Sequence, residues 1–400
     1  MLMSKEATRS LSVWKNSIFP IVVLSQVVFF GAAWLGARVL PLTPAAGDTG
    51  STLLNALAPI YYRWDARHYV DIALSGYGGL AGAVPDRRAA FFPVFPLLIR
   101  AAMLPFGRPS LVTAVLASIV VVEAAAFLAF RALFALVLEE TGDARAARRS
   151  VLYTAVFPLA MFYFIPYTES IFLLASLGAF LAMRRHQWVR AGVWAGVASG
   201  TRLAGILLLP VLLLEIWLAW RRGLPRRAEL WRGAAGLLLA PLGLLLFMLY
   251  LWLAKGDPLG FLHAQAQWKR EMLFPVATLW RGIGYALHPA WSAHAEMYMH
   301  GVVQTSIVLL FLAVFVFSVR RWRPSYALYG LLTFAVALAS PLAGEQTMQS
   351  TGRYVMVFFP VMLSLAIWGR RAAVHLVITT VWLALFLLLA ALYSAGYFVG

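Results

Sequence analysis

Cysteine is absent from the 400 residues, so the chain has no disulfide, no thiol nucleophile and no Cys-ligated metal. Charge is scarce. Asp, Glu, Lys and Arg together make up 12%, against about 25% in soluble domains. Acids are the scarcest, 16 against 33 Lys and Arg. The space is filled by apolar residues, which reach 62% where soluble domains hold about 45–50%. No water-soluble fold has an interior large enough for that much apolar chain, so the solvent must be lipid. The same composition excludes a disordered chain and a coiled coil. Also missing are an Asp-x-Asp pair, a P-loop and a Gly-x-Ser-x-Gly elbow, which leaves nucleotide hydrolysis and serine esterase chemistry without apparatus. The net charge of +17 would suit nucleic acid, but the basic residues sit between apolar spans, so no nucleic-acid partner is expected.

A helix needs about 20 apolar residues to cross about 30 Å of hydrocarbon. Eleven stretches are read as spans: 17–39, 111–138, 150–166, 168–184, 190–202, 203–220, 232–254, 302–319, 325–342, 353–369 and 372–397. The stretch 190–202 is short and Gly-rich, which predicts a broken or re-entrant segment. The expected architecture is an all-α polytopic membrane protein, one domain over residues 1–400 with about 11 transmembrane helices. With the N-terminus inside, the inside segments carry 19 Lys and Arg against five Asp and Glu, and the outside segments 13 against nine. The positive-inside rule therefore places the N-terminus in the cytoplasm. Three segments then face the extracytoplasmic side: the loop 40–110, the loop 255–301 and the short 343–352. The first is too long for a connector, and long ordered loops are where function concentrates.

Within it, residues 64–75 have helical spacing and Gly76 is a stop. On that helix Asp65, His68, Tyr69 and Ile72 share one face, while Arg67 and Asp71 read as an i,i+4 surface ion pair. Asp65 follows Trp64 just beyond the first span. A carboxylate there, with His68 one turn on, is placed to take a proton from a bound hydroxyl. The plainer alternative is a helix N-terminal charge stabilised by the helix dipole. Downstream, Arg87, Arg88, Phe91, Phe92, Pro93, Phe95 and Pro96 read as an amphipathic interfacial helix. It is either a rest on the membrane or the wall of a groove for a lipid tail.

Other polar groups lie at the outer ends of spans. Glu169, in Tyr167-Thr168-Glu169-Ser170, is a carboxylate between two apolar spans, where charge needs a partner or a task. A first-turn charge beside a Thr168 cap is its structural alternative. Arg202 and Arg353 sit at the same predicted depth. Guanidinium matches phosphate oxygens bidentately, so the two form a candidate phosphate clamp; the alternative is ion pairing with Glu169 or Glu345. The loop 255–301 holds His263, His288, His294 and His300 at spacings unlike a metal site, and no metal or other cofactor is expected.

The order Arg63-Trp64-Asp65-x-x-His68-Tyr69, Ala90-Phe91-Phe92-Pro93-x-Phe95-Pro96, Tyr167-Thr168-Glu169-Ser170, Thr201-Arg202-x-x-Gly205 and Gly352-Arg353-Tyr354 resembles the PIG-V-type mannosyltransferases, over about residues 60–360. That family adds the second mannose in GPI-anchor assembly. The resemblance implies a GT-C-type membrane glycosyltransferase that takes a sugar from a polyprenyl-phosphate-sugar outside the cytoplasm, with inversion, and maps the family's first-loop acid onto Asp65. Without an ER retention signal the chain looks like a bacterial relative in a plasma membrane, and bacteria lack GPI anchors, so the acceptor is carried over only as a lipid or glycan.

Residues and resemblance together lead to one expected mechanism. Asp65 is the general base, and His68 or Glu169 orients it or binds sugar hydroxyls. Arg202 and Arg353, with Arg63 or Lys269 as alternates, hold the donor phosphate. Trp64, Tyr69, Phe91, Phe92, Phe95, Tyr167 and Tyr354 line the lipid and sugar groove. Two rivals are a lipid-linked-sugar flippase, which predicts polar groups near the bilayer midplane, and a non-catalytic scaffold. A scaffold would not need Asp65, Glu169, Arg202 and Arg353 to converge at one depth, and an Asp65 more than about 15 Å from both Arg202 and Arg353, beyond direct contact range, would rule the mechanism out.

Overall fold

Helices dominate the computed structural model, which describes residues 3–40, 51–78, 87–223, 227–268, 270–287, 295–344 and 347–400. In order they are α1 (Met3–Val39), α2 (Thr52–Tyr61), α3 (Asp65–Ser75), α4 (Val94–Met103), α5 (Leu111–Thr141), α6 (Ala144–Ala155), α7 (Glu169–Arg184), α8 (Trp188–Thr201) and α9 (Leu208–Arg221). There follow α10 (Arg227–Leu239), α11 (Leu242–Lys255), α12 (Gly260–Ala266), α13 (Pro275–Leu287), α14 (Ala295–Ser318), α15 (Pro324–Ala339), α16 (Thr351–Val355), α17 (Pro360–Trp368) and α18 (Ala372–Ala395). Among the described residues there is no strand, only an isolated bridge between Arg270 and Leu342.

Among the described residues, six helical segments are long and apolar enough to cross a membrane: Ile18–Val39, Leu111–Thr141, Leu203–Arg221, Glu229–Lys255, Gly301–Arg321 and Ala372–Ala395. Each coincides with an expected span. The other five of the eleven expected stretches take shorter or broken forms. The stretch 150–166 leaves α6 for irregular chain with a 3-10 turn at Ala160–Tyr163, and 353–369 divides between α16 and α17. These segments are buried in protein, where side chains and neighbouring backbone satisfy the freed polar groups, so broken helices are tolerated.

Residues 190–202 were expected to be broken or re-entrant; α8 is unbroken up to Thr201 but, at 14 residues, is not among the helices long enough to cross a membrane. Its glycines serve contact instead of flexibility. A Cβ on Gly192 would overlap the carbonyl oxygen of Gly236, and a Cβ on Gly243 that of Gly196. Small residues thus let α8 pack backbone to backbone on α10 and α11, as in membrane helix pairs generally. This close pairing fixes the C-terminal end of α8, where Arg202 is the cap residue.

Within the described part of the first loop, the helix expected at 64–75 is present. α3 spans Asp65–Ser75 and ends at Gly76, whose φ of 69° suits glycine. After a 3-10 turn at Arg87–Ala90, α4 buries Phe95 and Ile99 and exposes Leu97 and Leu98; it is amphipathic, but it begins at Val94, after Arg87, Arg88, Phe91, Phe92 and Pro93 of the expected helix. α3 and α4 pack on α5, and α1 packs on α18.

Gly192→Val should drive α8 off α10 at a cost of about 1–3 kcal/mol, the range for overpacking a filled interface. The detergent-solubilised variant should melt measurably below wild type. Gly31→Ala, with nothing within 4 Å of the added Cβ, should leave the melting temperature unchanged.

Candidate active site

Four charged side chains from four elements meet at one point. Arg353, on α16, places Nη2 3.0 Å from Oδ2 of Asp65 and Nε 2.9 Å from Oε1 of Glu169. Arg202 donates from Nη2 to the same Glu169 oxygen at 2.9 Å. Two carboxylates and two guanidiniums make a charge-balanced quartet. Burial is graded across it: the side chain of Glu169 is 0% exposed, Arg353 5%, Arg202 14% and Asp65 26%. Asp65 is therefore the member that solvent or a ligand reaches most readily.

Aromatic rings enclose the quartet. The Arg353 guanidinium lies 4.8 Å from the Tyr167 ring centroid and 5.0 Å from that of Phe162, in cation–π contact. The Tyr354 ring sits between Arg202, at 5.5 Å, and Arg270, at 5.3 Å. Arg270 also donates to the Tyr354 hydroxyl at 2.8 Å and to the Ser340 carbonyl at 2.6 Å. Arg270 is thereby fastened beside the quartet. Nη1 of Arg353 and Oε2 of Glu169 are buried without a hydrogen-bond partner among the described residues. Donor capacity at Arg353 is not exhausted by the carboxylates.

Backbone strain marks the same place. Only three described non-glycine residues have positive φ: Trp64 at 52°, His186 at 53° and Ser350 at 64°. Trp64 immediately precedes Asp65, and Ser350 caps the five-residue helix that carries Arg353. Such conformations cost about 1–3 kcal/mol each and cluster where geometry matters more than stability. Gly352 donates its N–H to Oε1 of Gln304 at 2.7 Å, which ties α16 to α14.

The structure brings Asp65, Glu169, Arg202, Arg353, Tyr167 and Tyr354 together as expected. Both arginines take the ion-paired alternative, with Glu169 as the shared partner. Arg63 is buried near Tyr393. Lys269 and Glu345 lie outside the described residues, as do His288 and His294. Trp64 is 42% exposed and stacks edge-on against Phe398 at 5.1 Å. The groove expectation for Phe91, Phe92 and Phe95 meets a difference: all three are buried, packed against His68, Tyr69, Phe247 and Phe261. Phe91 and Phe95 are covered by His68 and Tyr69 of α3, and Phe92 by Phe247 of α11 and Phe261 of α12. Arg67 and Asp71 make the expected pair at 3.7 Å. His263 pairs with Asp257 at 2.8 Å, and no three metal-ligating side chains converge among the described residues. Sequence reading passed over Phe162, Arg270, Gln304 and Tyr393. Their neighbourhood depends on distant segments, and no local pattern signals it.

His68 stacks on Phe91 at 4.6 Å, and burial holds its pKa below the ordinary 6.5, opposed by the nearby Asp65 carboxylate. The unfolded chain then binds more protons than the folded one from the depressed folded pKa up to 6.5, so stability rises with pH across that window. On lowering the pH from about 7.5 to about 5.5, wild type should lose more thermal stability than His68→Gln. Parallel melting curves for the two proteins would show that His68 is not the titrating group.

Similarity to known proteins lies in the fold. No protein-family model and no curated protein matches the chain. Among solved structures, ArnT from Cupriavidus metallidurans bound to undecaprenyl phosphate aligns over 95% of this chain and 76% of that one, at 14% identity and a TM-score of 0.52. The Archaeoglobus fulgidus oligosaccharyltransferase AglB, in complex with an inhibitory peptide and a dolichol-phosphate, aligns over 93% of this chain and 56% of that one, at 14% identity and a TM-score of 0.47. The chain spans little more than half the length of that archaeal protein. With its helical architecture and apolar spans, the chain has the fold of the GT-C membrane glycosyltransferases.

Proposed function

We propose that the chain is an inverting membrane glycosyltransferase that moves a hexose from a polyprenyl-phosphate-sugar to a lipid or glycan acceptor on the extracytoplasmic face. The observation that carries this reading is the 3.0 Å approach of Arg353 to Asp65, within one network that also holds Arg202 and Glu169. A proton acceptor and two cations at one point match the needs of sugar transfer from a phosphate. Lipid-bound phosphate in the ArnT structure, which shares this fold, is consistent with the donor class. Mannose as the sugar rests on the resemblance of the motifs to the PIG-V type, as does inversion. The outward placement of the site rests on the positive-inside rule.

In this mechanism Asp65 accepts the acceptor hydroxyl proton as the oxygen attacks the anomeric carbon. The bond from that carbon to the phosphate oxygen breaks, and polyprenyl phosphate leaves as an anion. Arg353 and Arg202 stabilise the charge growing on that leaving group. Arg353 offers its unpartnered Nη1 to a phosphate oxygen, while Glu169 keeps both guanidiniums in place. His68, neutral near pH 7, offers a ring nitrogen to a sugar hydroxyl. The aromatic shell around Arg353 excludes water that would hydrolyse the donor.

The test is transfer of labelled mannose from polyprenyl-phosphate-mannose to host lipid extracts by the purified protein in nanodiscs. Wild type should label a new product. Asp65→Asn, matched in melting temperature and monodispersity, should be slower by at least ~10²-fold, the lower range for loss of a general base. Equal rates would remove Asp65 from the chemistry. Absence of transfer by folded wild type with mannose, glucose, galactose and arabinose donors would favour the flippase reading.

A further inference from the structure

A cavity lined by charged and aromatic side chains lies at the other end of the bundle from the quartet. α5 starts beside the first loop and runs 31 residues, about 46 Å at 1.5 Å per residue, to Thr141. There Glu140 gathers three groups. Nε of Arg184 lies 2.6 Å from its Oε1, Nε of Arg323 bonds both of its oxygens at 3.1 and 3.2 Å, and the Tyr326 hydroxyl donates at 2.8 Å. Two guanidiniums on one carboxylate leave this cluster with net positive charge. Beside it is a cavity of about 150 Å³, lined by Thr141, Ser318, Arg321, Trp322, Ser364 and Trp368 together with Glu140 and Arg323. Arg321 is exposed and has no ion-pair partner among the described residues. Trp322 donates from its indole nitrogen to Ser364 at 2.8 Å, which fixes the ring as one wall.

Each feature matches the phosphate of an anionic lipid. The surplus of guanidinium suits a phosphodiester, which Arg binds through paired N–H donors. The Ser364 hydroxyl, which accepts from Trp322, keeps its own proton to donate. Indoles at the rim suit the glycerol level of a bilayer, where Trp concentrates. Leu363 and Ile367 continue the lining on its apolar side, where acyl chains would run. The surrounding surface is basic as well, with Arg320, Arg370 and Arg371 exposed at this end. By the positive-inside rule this is the cytoplasmic leaflet, where basic pockets between spans take anionic headgroups.

We propose that this cavity is a binding site for the headgroup of an anionic phospholipid, with Arg321 and Arg323 on the phosphate and Trp322 and Trp368 flanking the glycerol. Occupancy would clamp α5, α15 and α17 together at the end remote from Asp65. The site is independent of the proposed transferase chemistry.

The test uses the full chain, delipidated in an uncharged detergent, with thermal unfolding and native mass spectrometry as readouts. Phosphatidylglycerol should raise the melting temperature of wild type, since a ligand bound only to the folded state stabilises it. It should also leave a retained one-lipid adduct. Phosphatidylcholine and inorganic phosphate should do neither. Arg321→Gln and, separately, Trp368→Leu should lose at least half of the thermal shift and the adduct, while Arg371→Gln, on the open basic surface, should keep both. The proposal is overturned if phosphatidylglycerol does not stabilise wild type, or stabilises Arg321→Gln and Trp368→Leu as much as wild type. It is equally overturned if inorganic phosphate alone reproduces the shift, or if Arg371→Gln loses as much as Arg321→Gln, which would mark a diffuse surface effect.

Discussion

Glu169 is wholly buried at the first turn of α7, and a carboxylate removed from water must be answered by positive charge held at the right distance. Arg202 and Arg353 supply it, both at 2.9 Å and both to the same oxygen. Neither arginine is a neighbour of Glu169 in sequence. α8 must therefore end where it does, and α16 must begin where it does, for the charge to be compensated. Asp65 closes the quartet by pairing with the face of Arg353 that points toward the first loop. The arrangement is neutral as a whole, which is what makes four ionised groups tolerable at so little exposure. Glu169 thus acts as the fixed counter-charge, and Asp65 as the member open to a ligand.

Much of the surrounding fold serves to hold that quartet. Gly192 and Gly243 allow α8 to lie directly on α10 and α11, which sets the position of Arg202. Gln304 on α14 grips the backbone of Gly352, one residue from Arg353. Trp64 and Ser350 accept strained backbone angles next to the two members that face each other, Asp65 and Arg353. Sub-optimal local conformations at both partners of one ion pair show that tertiary packing dictates this geometry against local preference.

How far the sequence could be read follows from which signals are local. The helix Asp65–Ser75 was legible because its apolar period and Gly76 stop are contiguous in the chain. Glu169, Arg202 and Arg353 were legible because charge inside apolar sequence is costly wherever it occurs, so each one demanded a partner. Which partner each would take was not legible. The pairing of Arg202 with Glu169 is decided by the packing of α7 on α8, and no spacing encodes it. That Phe91, Phe92 and Phe95 are buried was not legible for a related reason: an aromatic belt reads alike whether it meets lipid or is covered by other helices. The span pattern was followed where stretches face lipid and broken where they are enclosed, as at 150–166 and 353–369, because burial in protein removes the need for an unbroken helix. Tyr393 and Phe162 carry no mark in the sequence at all, being ordinary apolar-span residues until the fold sets them beside Arg353.

Charge balance in the quartet is the claim on which the rest depends, and a double-mutant cycle on thermal stability tests it most directly. Glu169→Gln leaves one unmatched positive charge buried, whereas Glu169→Gln with Arg202→Gln restores neutrality by leaving the Arg353–Asp65 pair. Breaking a buried pair on one side costs about 3–5 kcal/mol, much of it from the stranded partner. The account predicts that the double variant melts above Glu169→Gln alone. A double variant whose loss equals the sum of the two single losses would show that Glu169 and Arg202 do not share a charge-coupled site, and would contradict it.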